Sequence, residues 1–189
     1  MVNKMIRKVA VFMAPGFEEM ELTITVDILR RAEIDVKTVS LATGTDPVKG
    51  SRGIHMLPDL SCKNFDVNDY DMIVLPGGLE GTRNLGQSEM VIKAVQQAHK
   101  TGKFVAAICA APAVLVKAGI AAGRCLTSHP AARDHMSGVK YSEERVVCDE
   151  KIITSRAAGT TFEFAFALMR ELLGEQAVEK VNPGVLAKI

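Results

Sequence analysis

The sequence predicts an α/β protein, with a mostly parallel central sheet covered by helices on both faces. Short apolar or β-branched runs alternate with stretches whose apolar residues recur at helical spacing. Such alternation marks parallel β-α-β units, whose crossovers lay helices against each face of a sheet. Length and composition agree: 189 residues, 48% hydrophobic and 24% charged, suit a single domain spanning 1–189.

The elements follow in order. "KVAVFM" (8–13) is a first strand, ended by Ala14-Pro15-Gly16, and the basic N-terminal residues before it read as its lead-in. A helix then runs to about Ala32, with Leu22, Val26 and Leu29 on one face. "DVKTVSLA" (35–42) is a β-branched second strand, and "SRGIHMLPDL" a short strand or ribbon. "DMIVLPGG" (71–78) is a core strand ended by its glycine pair. Ser88 caps a helix carrying Val91, Val95 and Ala98, which closes near Gly102. "FVAAI" (104–108) is the next strand, followed by a helix to about Lys117 and a stop at Gly119. "CLTS" (125–128) is strand-like, and "RVVCDEKIITS" reads as a hairpin around Asp149-Glu150 that adds antiparallel strands. Thr160 and Glu163 form a T-x-x-E capping box. The helix they open repeats Phe162, Phe166, Met169 and Leu173 and ends at Gly174. The sum is a flavodoxin-like three-layer sandwich with a C-terminal hairpin.

Composition excludes several classes of function. Net charge is +1, with no local basic stripe, so nucleic acid is not an expected partner. No stretch approaches the roughly 20 apolar residues of a membrane span, and the N-terminal run is too short and interrupted for a secretory signal. The expected compartment is the cytoplasm, with nucleus and mitochondrion as alternatives. Cys62, Cys109, Cys125 and Cys148 form no C-x-x-C pair and no zinc spacing, so neither a metal site nor a disulfide framework is expected. "GGLEG" does not match G-x-G-x-x-G and there is no Walker loop, so no nucleotide cofactor is expected.

Open parallel sheets bind ligands beyond the carboxyl ends of their strands. The residues following each strand are therefore candidates to share one edge. They are "APGFEEME", Gly77-Gly78, Cys109, His129 and Arg156. Cys109 is either a buried packing cysteine or a thiol presented at a strand-to-helix turn. Its position favours the second, because helix-terminal N–H groups stabilise thiolate. Glu18 and Glu19 suit the first turn of a helix, where carboxylates complement the dipole. Glu21 either does the same or lies deeper, desolvated and able to shuttle protons. Gly77 and Gly78 either turn the chain or offer backbone N–H donors to an oxyanion, as Ala110 can. Arg52, Arg156 and Arg31 are candidate anion contacts, with a surface ion pair as the ordinary alternative. His55, His99 and His135 receive no role.

"APGFEEME", "VLPGG", "AAICAAP", "TSHP" and "ITSR…GT.FEFA" occur in that order over nearly the whole chain. Together they resemble the ThiJ/PfpI superfamily, in its Parkinson-associated protein deglycase branch, the DJ-one proteins. The resemblance implies a homodimer with Cys109 as nucleophile and redox-sensitive thiol. It implies Glu21 as the carboxyl bonded to that thiol, Gly78 and Ala110 as amide donors, and His129 nearby. It also implies a glyoxalase or deglycase needing neither cofactor nor metal, acting on methylglyoxal, glyoxal or glycated amino groups. The alternative is a redox sensor and chaperone working through oxidation of Cys109. Two departures from the family pattern stand out. "SRAAGT" replaces the usual "SRGPGT" at Ala157 and Ala158, and Gly50 replaces a frequent cysteine. A class I amidotransferase glutaminase would need a later His-x-Glu pair, which is absent. A PfpI-like protease would carry histidine where Ala110 stands.

Overall fold

The computed structural model describes residues 6–189; of the basic residues at the N-terminus, Lys4 lies outside them. Strand β1 (Lys8–Met13) is followed by helix α1 (Glu19–Arg31), β2 (Asp35–Ser40) and an antiparallel ribbon of β3 (Val48–Lys49) and β4 (His55–Met56). Then come β5 (Leu60–Ser61), β6 (Met72–Leu75), α2 (Leu79–Gln87), α3 (Glu89–Lys100), β7 (Phe104–Ile108) and α4 (Pro112–Lys117). The chain closes with β8 (Cys125–Leu126), β9 (Lys140–Tyr141), β10 (Val146–Asp149), β11 (Ile152–Ser155), α5 (Thr161–Leu173) and α6 (Glu175–Val181). The central sheet has the order β10-β11-β7-β6-β1-β2-β5 and is parallel except at β10.

Alternation along each strand builds two cores. Val9, Val11 and Met13 of β1 join Met72, Val74, Ala106, Ile108 and Ile153 on one face, under α1, α5 and α6. Ala10 and Phe12 join Ile73, Leu75, Val105 and Ala107 on the other, under α2, α3 and α4. A strand buried on both faces must be apolar at every position, which is why β1, β6 and β7 read as unbroken apolar runs.

The structure corrects four expectations. β11 is a parallel core strand beside β7, and only β10 of the hairpin runs antiparallel. Helix α2 was not expected; its sequence holds Gly81 and Gly86 and it buries a single large side chain, Leu85. Gly81 is needed because a Cβ there would lie 2.9 Å from the Gly16 carbonyl oxygen. The capping box at Thr160 does not form: the Thr160 hydroxyl instead meets Ser155 Oγ at 2.6 Å, and Glu163 pairs with Arg145. Finally, Phe162 is exposed, and α5 packs through Phe164, Ala165, Phe166, Leu168, Met169 and Leu172.

Candidate active site

Segments that follow β1, β7, β8 and β11 share one cleft. It encloses about 380 Å³, with Cys109, Glu21 and His129 in its lining. A larger and more open groove of about 530 Å³ between α2 and α4 contains no thiol and no glutamate.

Cys109 joins β7 to α4 with φ +66°. That left-handed conformation costs a residue with a Cβ about 1–2 kcal/mol, and it turns the side chain off the sheet edge. Two backbone hydrogen bonds hold it there. The Cys109 N–H donates to Ser155 O at 3.0 Å, and the His129 N–H donates to Cys109 O at 2.8 Å. The sulfur is half-buried, with the Gly78 and Ala110 N–H groups directed at it.

Glu21 lies in the first turn of α1 and is 1% exposed. The Glu18 carboxylate caps this helix by accepting the Glu21 N–H at 2.8 Å. Glu21 Oε2 accepts the Gly77 N–H at 2.7 Å. Its Oε1 is buried without a well-formed hydrogen bond, although the Cys109 thiol is near enough to interact with the carboxyl. Gly77 is the floor beneath both groups. A Cβ there would fall 2.6 Å from Cys109 Cβ, 2.6 Å from Glu21 Oε2 and 3.0 Å from Ile108 O. Only glycine permits acid and thiol to press on the same backbone atom.

Burial raises the Glu21 carboxyl to about 7, against the Gly77 and Cys109 hydrogen bonds, and the Glu18 charge adds to the rise. Burial, the Glu21 charge and the Glu21 hydrogen bond push the Cys109 thiol up to about 12, against the Gly78 and Ala110 amides. Burial and the neighbouring carboxyl therefore oppose the thiolate that the sequence leads one to expect, while the two amides favour it. Gly78 caps the start of α2 and Ala110 lies just ahead of α4, so the two amides come from different helix starts. Both groups are thus pushed toward holding a proton, and they titrate as a coupled pair.

His129 accepts the Ala131 N–H at Nδ1 (3.1 Å), so the uncharged ring carries its proton on Nε2. Arg52 also lines the cleft and has no ion-pair partner among the described residues. Three candidates are not assembled as the sequence suggested. The Gly77 N–H is already bonded to Glu21, leaving Gly78 and Ala110 as the amides for an oxyanion. The Arg156 side chain turns to Glu143 O at 2.6 Å. Arg31 pairs with Asp27 at 2.5 Å in the last turn of α1, about 15 Å along the helix from Glu21.

Sequence reasoning missed Glu19, which is 5% exposed in the wall of the cleft. It also missed the apolar part of that wall, Met20 and Ile54; Ala157 and Ala158, flagged for their departure, line it as well. Among the described residues no group of three or more His, Cys, Asp or Glu side chains gathers around a common point. No helix there is long and apolar enough to cross a membrane.

Residues 7–171 match the DJ-1/PfpI family. The chain is 42% identical over 184 residues to the Drosophila melanogaster protein dj-1beta, covering 96% of this chain and 98% of that one. The crystal structure of Drosophila melanogaster DJ-1beta superimposes with a TM-score of 0.94 at 41% identity, over 98% of this chain and 100% of that one. A Caenorhabditis elegans relative named glutathione-independent glyoxalase DJR-1.2 is 35% identical over 90% of this chain and 91% of its own.

Proposed function

The chain belongs to the DJ-1/PfpI family, and on that premise we propose that it is a cofactor-independent glyoxalase. Its substrates would be methylglyoxal, glyoxal and the early adducts they form on amino groups, the last a deglycase activity. The observation that carries this reading is the contact of Glu21 Oε2 and Cys109 with the same glycine, which holds a base of pKa about 7 against a thiol in an open cleft. The glyoxalase name of the nematode relative supports it.

The chemistry needs only this chain and water. Ionised Glu21 takes the Cys109 proton as sulfur bonds to the aldehyde carbon, and the carbonyl electrons move onto oxygen. That oxyanion lies toward the Gly78 and Ala110 N–H groups. Glu21 then returns its proton to the oxygen, completing a hemithioacetal. The freed carboxylate removes the hydrogen from the same carbon and delivers it to the neighbouring one, while the hydroxyl proton of the first carbon passes to the oxygen of the second. The His129 Nε2–H steadies the intervening enediolate. The product is a thioester of a 2-hydroxy acid, which water cleaves to lactate (from methylglyoxal) and the starting thiol. No external oxidant or reductant enters, because one carbon is oxidised as its neighbour is reduced.

The test is lactate formation from methylglyoxal by the wild-type protein and by Cys109→Ala. Loss of turnover by at least three orders of magnitude is expected, and unchanged turnover overturns the reading. A second reading, a sensor of oxidative and carbonyl stress with chaperone activity, draws on the half-buried thiol and on the oxidized Toxoplasma gondii DJ-1 among the structural neighbours. It predicts that mild peroxide adds two oxygens at Cys109 before Cys62, Cys125 or Cys148. We further propose that the protein works as a homodimer in the cytoplasm. Supporting the dimer, Met20, Ile54 and Leu57 expose apolar surface on neighbouring segments, α1 and the β3–β4 ribbon. A monomer at micromolar concentration in sedimentation would refute the dimer.

A further inference from the structure

We propose that Glu19 is a positioning residue: its buried carboxylate straps the 50–54 loop to α1 and so sets the cleft wall formed by Arg52 and Ile54. A glutamate in a first helical turn ordinarily faces water, where it complements the dipole. This one turns inward and is spent on the loop. Its Oε2 accepts the Ser51 hydroxyl at 2.9 Å, and its Oε1 accepts the Arg52 N–H at 2.6 Å and the Ile54 N–H at 3.4 Å. Burial alone would raise this carboxyl, yet the Arg52, Ser51 and Ile54 donors outweigh it and hold it below the usual range. The strap therefore stays ionised throughout the working pH of the site.

Among the described residues of one chain the tip is otherwise fixed only by the Gly53 N–H bond to Gly50 O (3.1 Å). Backbone bonds anchor its two ends, through Gly50 N–H to Ile54 O (2.8 Å) and Ser51 N–H to Phe17 O (2.8 Å). Its tip, Arg52 to Ile54, is solvent-exposed and has no large buried side chain. Arg52 and Ile54 nevertheless line the cleft that holds Cys109, so whatever sets the tip sets that wall.

Gly50 shows how closely the strap is fitted. A Cβ at this position would lie 2.4 Å from Glu19 Oε1, 2.5 Å from its Cδ and 2.7 Å from its Cγ. Gly50 does not have the positive φ that demands glycine, so a side chain is excluded there by the carboxylate and not by the backbone. This gives a physical reason for glycine at position 50 in this chain. A side chain at 50 and this inward Glu19 compete for one volume. The glutamate could swing out, but only by releasing all three donors.

The role in turnover rests on the glyoxalase reading, whereas the strap itself does not, and the experiment separates them. Amide hydrogen exchange is followed in wild type, Glu19→Gln, Glu19→Ala, Gly50→Ala and the Glu19→Ala/Gly50→Ala double variant. The Arg52 and Ile54 amides should exchange at least ten-fold faster in Glu19→Ala and Gly50→Ala, and by less in Glu19→Gln, whose amide oxygen still accepts, with the β1 and β7 amides unchanged. The double variant should exchange no faster than Glu19→Ala, because the added methyl then displaces nothing. In parallel, KM for methylglyoxal should rise several-fold while kcat stays within two-fold, since Cys109 and Glu21 keep their places. Glu19→Asp, which retains the charge on a shorter arm, should recover part of both effects. Unaltered Arg52 and Ile54 exchange in Glu19→Ala, or Gly50→Ala and Glu19→Ala effects that simply add, would overturn the proposal. If methylglyoxal is not a substrate of the wild type, the exchange and coupling results still decide it.

Discussion

Replacing Glu21 by glutamine should stabilise the protein while disabling it, by an amount that grows with pH. The carboxyl is buried against Gly77 and Cys109 with its pKa raised from 4.5 to about 7. Below pH 4.5 both folded and unfolded chains hold the proton, and the group is neutral toward folding. As pH rises from there to about 7, the unfolded chain releases its proton and the folded chain keeps it, so stability falls. That interval, at about 1.4 kcal/mol per pH unit, amounts to roughly 3 kcal/mol once both states are ionised. The glutamine amide has the same shape, can accept the Gly77 N–H and has nothing to ionise. Urea unfolding of both proteins from pH 4.5 to 8 measures the difference directly. The depressed carboxylates of Glu19, Asp59 and Asp149 gain stability in the opposite sense as pH rises, and they cancel in the comparison. The variant's advantage should grow by roughly 3 kcal/mol across the window, with turnover of methylglyoxal lost. A stability difference that stays flat with pH would refute the raised carboxyl, and with it the assignment of Glu21 as the base.

Three further outcomes follow from the same geometry. In wild type, kcat/KM for methylglyoxal should rise with unit slope through about pH 7 as Glu21 ionises; a limb centred where an ordinary thiol titrates would contradict this order of events. Gly77→Ala drives a methyl into Cys109, Glu21 and a strand carbonyl, so it should cost about 1–3 kcal/mol in urea unfolding and more than ten-fold in turnover. Wild-type values on both would mean that the floor can yield. Cys109→Gly should unfold about 1 kcal/mol later than Cys109→Ala, because only glycine relieves the φ of +66°, and equal stability of the two would mean the elbow is unstrained.

Features carried by a short stretch of chain were legible in the sequence. β1, β6 and β7 show themselves because both faces of each are buried, so apart from Lys8 at the exposed start of β1 every residue is apolar. The elbow at Cys109 shows itself because an apolar strand stops there and Pro112 opens a helix three residues on. Helix α2 lacked such a signature: with two glycines and one buried leucine, it is held by contact with the Gly16 turn. The capping box failed for a related reason. Ser155, five residues back on β11, draws away the Thr160 hydroxyl, and Arg145 takes Glu163. In the site, the sequence placed acid, thiol and amides on one edge but could not say which glycine amide faces which atom. That choice depends on the register of β6 beside β7 and on where α1 sits, and it gives Gly77 to Glu21 and Gly78 to sulfur. Glu19 was hidden because its partners lie more than thirty residues away in a polar loop.

The elbow also bears on how this protein wears out. Cys109 is tied through its N–H to the end of β11 and through its carbonyl to the residue that precedes the 130–135 turn. Two distant stretches of chain thus hold the strained residue from opposite sides, and neither can let it relax alone. Partial opening of one loop would leave the sulfur where it is; only loss of the sheet itself would free it. Catalytic competence and the folded state should therefore disappear in a single transition. On heating, residual activity should track the fraction of intact sheet point by point, with no inactive but folded species ahead of it.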